Sequence, residues 1–143
     1  MQLQRVVVTG MGALTPLGNT LDEYWEGLIN GVSGAAPITL FNAEKFKTRF
    51  ACEVKNFDPT SFLDKKEARK IDRFTQFALY VSDQAMANAG LTQENINPDR
   101  VGVVFASGIG GLITFQNEVV DFSKGDGTPR FNPFFITKMI LDI

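Results

Sequence analysis

The sequence predicts an α/β protein on three observations: two apolar β-branched runs that each end in a glycine turn, helical periodicity after each turn, and an alternating stretch between them. Val6, Val7 and Val8 form the first run, uninterrupted as in a strand covered on both faces of a parallel sheet. The chain then turns at Gly10 and Gly12. Thr20 with Glu23 three residues on makes a capping box, and the helix it starts carries Tyr24, Trp25, Leu28 and Ile29 and stops at Gly31. From Arg49 to Lys55, Phe50, Cys52 and Val54 alternate with Arg49, Ala51, Glu53 and Lys55, the pattern of a half-exposed strand with Phe50, Cys52 and Val54 pointing inward.

Between about Asp64 and Ala89 the period becomes helical. Ile71, Phe74, Ala78, Val81 and Ala85 recur at steps of three and four, and Gly90 closes this, the longest helix. Val101, Val103, Val104 and Phe105 repeat the buried-strand signature and run into Gly108-Ile109-Gly110-Gly111. Leu112 to Phe122 reads as a helix, residues 123–130 as an exposed loop, and Asn132-Pro133 as an N-cap with proline at the first helical position. The last helix, Phe134 to Ile143, has no C-cap before the sequence stops, so the expected architecture is unfinished.

Composition narrows the function. At 143 residues and 44% hydrophobic content the chain has the length of one ordinary domain, here 1–143, and is not disordered. Fourteen Lys and Arg against 16 Asp and Glu leave a net charge of −2, which argues against nucleic acid or an anionic membrane as a general partner. One Cys excludes an intrachain disulfide and fits a reducing compartment; with no signal-peptide pattern at the N-terminus, the expected localisation is cytoplasmic. No apolar run reaches the ~18 residues of a membrane span. The chain has no histidine, so with a single Cys neither a zinc site nor a Cys-His nucleophile is expected within it.

Four motifs are candidates for chemistry. In the opening turn a dinucleotide fingerprint would need a third glycine, but Thr15 and Pro16 follow and the helix starts only near Thr20, too far on to meet a pyrophosphate. The turn therefore reads as one that needs glycine dihedrals. In "DKKEARKIDR", Lys66, Arg69, Lys70 and Arg73 fall within about 100° of arc on a continuous helix, one basic face suited to an acidic surface or simply to water. Ile109 is an isolated apolar side chain among glycines, suited to gating a pocket or to close packing. Cys52 reads as a small hydrophobe, without a basic neighbour to activate it.

Together, "RVVVTGMGALTPLGN", "FKTRFACEVKNFD", "DKKEARKIDRFTQFAL", "GVVFASGIGGL" and "NPFF" resemble, in order along the whole chain, the N-terminal part of the β-ketoacyl-acyl-carrier-protein synthases, and most closely the elongating type II branch of bacterial fatty acid synthesis. The resemblance implies a thiolase-like layered α/β/α fold, of which this chain is most of the N-terminal half, in a homodimer. It implies an acyltransferase that condenses malonyl-carrier protein, with loss of carbon dioxide, onto an acyl group held on a Cys. That Cys and two assisting His lie beyond "NPFFITKMILDI" in the family, so no catalytic residue falls in this chain and Cys52 does not occupy the nucleophile's position. No resident cofactor is implied, because the substrates ride on the phosphopantetheine of the acyl carrier protein. By the same resemblance Lys66, Arg69 and Lys70 form the patch that docks the carrier protein. Ile109 gates the acyl pocket, and Phe134 reaches the partner subunit's acyl pocket. The alternative is a natural non-catalytic module that keeps only carrier docking or dimerisation.

Overall fold

The computed structural model describes residues 4–140. Among the described residues there are five α-helices, two 3-10 turns and one short sheet, divided into two compact units, one of residues 4–57 with Val81–Asn97 and one of Asp58–Tyr80 with residues 98–140.

In the first unit α1 spans Leu21–Ile29, and its start is the capping box: Glu23 N–H donates to the Thr20 hydroxyl at 3.2 Å while the Glu23 carboxylate takes the Thr20 N–H. Gly31, at φ +64°, ends it in the left-handed conformation, with Val32 N–H returning to the Gly27 carbonyl. The sheet pairs β1 (Ala36–Pro37) with β2 (Phe50–Ala51) antiparallel, Ala36 opposite Ala51. The strand expected from Arg49 to Lys55 thus shrinks to two residues, and its facing is reversed at its start: Phe50 and Cys52 are exposed while Ala51 and Glu53 are half-buried, and of the three residues expected inward Val54 alone is half-buried. The reason is the Glu53 carboxylate, which turns back to accept the N–H and hydroxyl of Thr39 and so anchors the alternate face.

Val6–Val8 and Val101–Phe105 are not strands. A strand needs a partner for its N–H and C=O groups, and none lies beside either run among the described residues. Their side chains are correspondingly open: Val6 is 90%, Val8 80%, Val103 80% and Val104 97% exposed, and among the described residues the buried apolar side chains are Ala13 and Ala68.

The helix expected over 64–89 is broken. In the second unit α2 covers Lys65–Lys70, Ile71 is extended at φ −111° and ψ 154°, and α3 (Arg73–Asn88) begins afresh. Asp72 makes the break: its Oδ1 accepts the Arg73 N–H at 2.7 Å, and Gln76 Nε2 reaches back 2.8 Å to the Ala68 carbonyl that α2 leaves free. Gly90, at φ +66°, closes α3 as expected. α4 runs from Leu112 to Lys124, and α5, the expected last helix, spans only Phe135–Met139 before Ile140 turns extended; residues 141–143 lie outside the described part. Asn132 is not the N-cap that the sequence predicts: that position is Phe134, which makes no side-chain cap bond, and Asn132 Oδ1 instead takes the Phe134 N–H at 2.8 Å in the turn before the helix. The Phe115–Phe135 stack at 6.1 Å packs α5 on α4.

Candidate functional site

The opening glycine turn belongs to packing. Neither Gly10 nor Gly12 has a left-handed φ, which corrects the expectation that dihedrals require them. What requires them is distance: a Cβ at Gly12 would stand 2.1 Å from the Val81 carbonyl oxygen, and one at Gly10 2.3 Å from that of Ala85, successive turns of α3. The N–H groups that a phosphate would need are already used, Met11 N–H donating to Asn88 Oδ1 at 3.0 Å and Ala13 N–H to Gln84 Oε1 at 3.1 Å. Gln84 and Asn88, one turn apart on α3, are residues that the apolar periodicity passed over.

The basic face is built on α2. Asp64 starts the helix by accepting the Lys66 N–H at 2.7 Å, and Ala68 is the side that α2 buries, leaving Lys66 and Arg69 exposed and Lys70 half-buried. Lys66, Arg69 and Lys70 stand at spacings of three and four and share one side of this short helix. Arg73 does not join them. The break at Ile71 puts it on α3, where its guanidinium lies 5.0 Å over the Phe77 ring. Just before α2, the 3-10 turn Pro59–Ser61 is capped by Asp58, whose carboxylate takes the Thr60 hydroxyl at 2.7 Å and its N–H at 2.8 Å; these two bonds hold its pKa below the usual carboxylate value.

Next to α2 lies a cavity of about 420 Å³. It is lined by Phe74 and Ala78 of α3, by Phe105 and Phe134, and by Glu67 and Lys70 of α2. Two residues expected at different sites, Lys70 for docking and Phe134 for acyl chains, therefore meet at one hollow. Lys70 Nζ is 2.5 Å from Glu67 Oε1. Ile109 is not brought there: it is 70% exposed in the 108–111 turn and does not line the cavity. That turn is set by Gly110 at φ +87° and by Gly111, whose N–H donates to the Met139 carbonyl at 3.2 Å and whose absent Cβ would fall 2.1 Å from the Lys138 carbonyl oxygen. The Phe134 N–H donates to Asn132 Oδ1 at 2.8 Å, and Asn132 N–H is itself taken by Glu118 Oε2 at 3.0 Å. Cys52 is an exposed thiol, and no group of three or more His, Cys, Asp or Glu side chains arranged for a metal occurs among the described residues. No described helix is long and apolar enough to cross a membrane.

A short basic helix, a small cavity beside it lined largely by apolar side chains, and a glycine turn leading into α4 are what the structure places together in an α/β chain. The chain belongs to the β-ketoacyl synthase family: the model of that family's N-terminal domain matches residues 3–141. It is 46% identical over 144 aligned residues to the 3-oxoacyl-[acyl-carrier-protein] synthase 2 of Synechocystis sp., an alignment that takes in all of this chain and 34% of that protein. The chain therefore spans about a third of the length of such relatives. Among solved structures it is similar to a β-ketoacyl synthase from Burkholderia phymatum, with a TM-score of 0.75 and 25% identity, over 96% of this chain and 34% of that one. It shares its fold with a ketosynthase solved in complex with its type II polyketide acyl-carrier protein and bound to the hexaketide, at a TM-score of 0.73 and 23% identity over 94% of this chain and 34% of that one. The α/β class expected from the sequence holds in these likenesses although few strands have formed.

Proposed function

We propose that this chain is the N-terminal segment of a β-ketoacyl-acyl-carrier-protein synthase of type II fatty acid synthesis, a cytoplasmic, homodimeric acyltransferase. In the complete protein a Cys thiolate takes an acyl group from a carrier thioester. Malonyl-carrier protein then loses carbon dioxide, and the resulting enolate carbon attacks the acyl-enzyme, forming the new carbon–carbon bond and releasing the thiolate. The role of this segment is to receive the carrier and to line part of the acyl path. With no His and with Cys52 exposed, it is inactive by itself.

The observation that carries this reading is the cavity shared by Lys70 and Phe134. A carrier delivers its acyl chain on a flexible phosphopantetheine arm, so a cation for the acidic carrier has to lie within that arm's reach of the apolar wall that receives the chain, and here both line one hollow. No cofactor is needed beyond the carrier's own arm. The alternative, a self-sufficient docking or dimerisation module, has the packing against it: valines left 80–97% exposed and a buried core of two alanines leave too little hydrophobic stabilisation.

The test is to sequence the reading frame that encodes this segment, take the intact mass of its product and assay that product with malonyl- and acyl-carrier protein. A longer frame with a Cys-bearing helix and two His, whose product releases carbon dioxide and 3-oxoacyl-carrier protein while residues 1–143 alone do not, supports the proposal. A frame and mass that end at Ile143, with no condensation, would overturn it in favour of the module.

A further inference from the structure

The three basic side chains of α2 are not equivalent. Lys66 and Arg69 are exposed and have no salt bridge among the described residues, whereas the Lys70 ammonium is held 2.5 Å from Glu67 Oε1. Positions three apart on a helix are neighbours, so the spacing itself brings the two together. Glu67 is the one acid in the α2 sequence KKEARK, since Asp64 precedes the helix as its cap and Asp72 follows it. The pair is wet, with side chains 42% and 59% exposed, and an ion pair of that kind contributes little net stability. Weakness makes it exchangeable: a carboxylate from outside can take Lys70, but only by displacing Glu67.

We propose that Glu67 determines the selectivity of the docking face as an internal competitor, holding Lys70 until a carboxylate of the acidic carrier protein replaces it. This rests on the reading of α2 as the carrier-docking helix. An anion that reaches only Lys66 and Arg69 gains nothing from Lys70, so the face favours a partner with a carboxylate placed to win the exchange. Once displaced, Glu67 is a free carboxylate against an acidic partner, and that repulsion speeds departure. A carrier that must visit and leave at every cycle benefits from such a brake. Because Glu67 and Lys70 also line the cavity that includes Phe134, the exchange takes place where the acyl chain is received.

The experiment is a double-mutant cycle in the full-length protein, reading the dissociation constant for fluorescently labelled acyl carrier protein at low ionic strength, where exposed charges are least screened. Glu67→Gln keeps the size and helix compatibility of the side chain and removes its charge. It should tighten carrier binding by about twofold, the scale of one exposed pair, and the gain should vanish in the Lys70→Met background. An equal gain in both backgrounds would show that Glu67 acts only as a general negative charge and would overturn the proposal, as would no gain at all. Lys66→Ala with Arg69→Ala separates the two levels. If this pair weakens binding while the cycle shows no coupling, the docking face stands and the competitor fails; if it leaves binding unchanged, the docking reading itself falls, and the competitor with it.

Discussion

The Thr114 hydroxyl donates to Asp72 Oδ2 while Asp72 Oδ1 takes the Arg73 N–H at 2.7 Å, so a single carboxylate joins the start of α4 to the start of α3. The break between α2 and α3 is held at three points, by these two bonds and by Gln76 on the Ala68 carbonyl. Thr114→Val should cost about 1 kcal/mol, one hydrogen bond, and Asp72→Ala about 2 kcal/mol, two hydrogen bonds. Because both act through one group, the double variant should cost little more than Asp72→Ala alone. Urea unfolding of the complete protein checks this, and additive costs would show that the two side chains act independently.

Glycines here serve two physical purposes, and substitution separates them. Gly12→Ala drives a methyl into the Val81 carbonyl oxygen at 2.1 Å and should cost about 3 kcal/mol or more, because only backbone movement relieves it. Gly31→Ala meets open space but must hold φ +64°, for about 1 kcal/mol, and Gly31→Asn should recover part of that loss. Melting temperatures of the three variants report the order.

Reversing the docking charges, with Lys66→Glu, Arg69→Glu and Lys70→Glu together, should raise the apparent KM for acyl-carrier substrates by about tenfold at low salt and leave the circular dichroism spectrum unchanged. The defect should shrink as salt is added. Steady-state kinetics at two ionic strengths decide it; an unchanged KM at low salt removes the docking role.

Ile109→Phe enlarges a side chain that already stands 70% exposed in its glycine turn, so the segment itself should tolerate it. In the complete protein it should shorten the longest acyl chain accepted. A chain-length profile identical to the parent's would take Ile109 off the acyl path.

The Asp58 carboxylate accepts two bonds from Thr60 that its protonated form would lose, so its folded pKa lies below the unfolded one. The sign follows: whatever stability it contributes is complete at neutral pH and is lost as pH falls through the lowered folded value. Thr60→Ala should move the Asp58 midpoint back up towards an ordinary aspartate. Carboxyl-carbon NMR titration of the two proteins measures it, and coincident curves would mean the bonds do not hold in solution.

Local signals were legible before any contact was known. The Thr20–Glu23 box, the left-handed Gly31 and Gly90, and α4 each depend on residues within a few positions, and the five ordered segments carried the family. The apolar period crossed Ile71 without a mark, because Ile71 fits the stripe and only the bonds of Asp72 and Gln76 show that the helix restarts. Cys52 followed an alternation that the Glu53 anchor reversed.

By itself the sequence determined the family, the capped helix ends and the basic composition of α2, since these follow from neighbours along the chain. Tertiary structure decided why Gly10 and Gly12 are glycines, through an approach to α3 made across 77 positions between Met11 and Asn88. It also decided that Lys70 and Phe134 line one hollow. The valine runs mark the boundary between the two: β-branched side chains make a strand favourable, but its hydrogen bonds belong to a partner that local sequence does not supply.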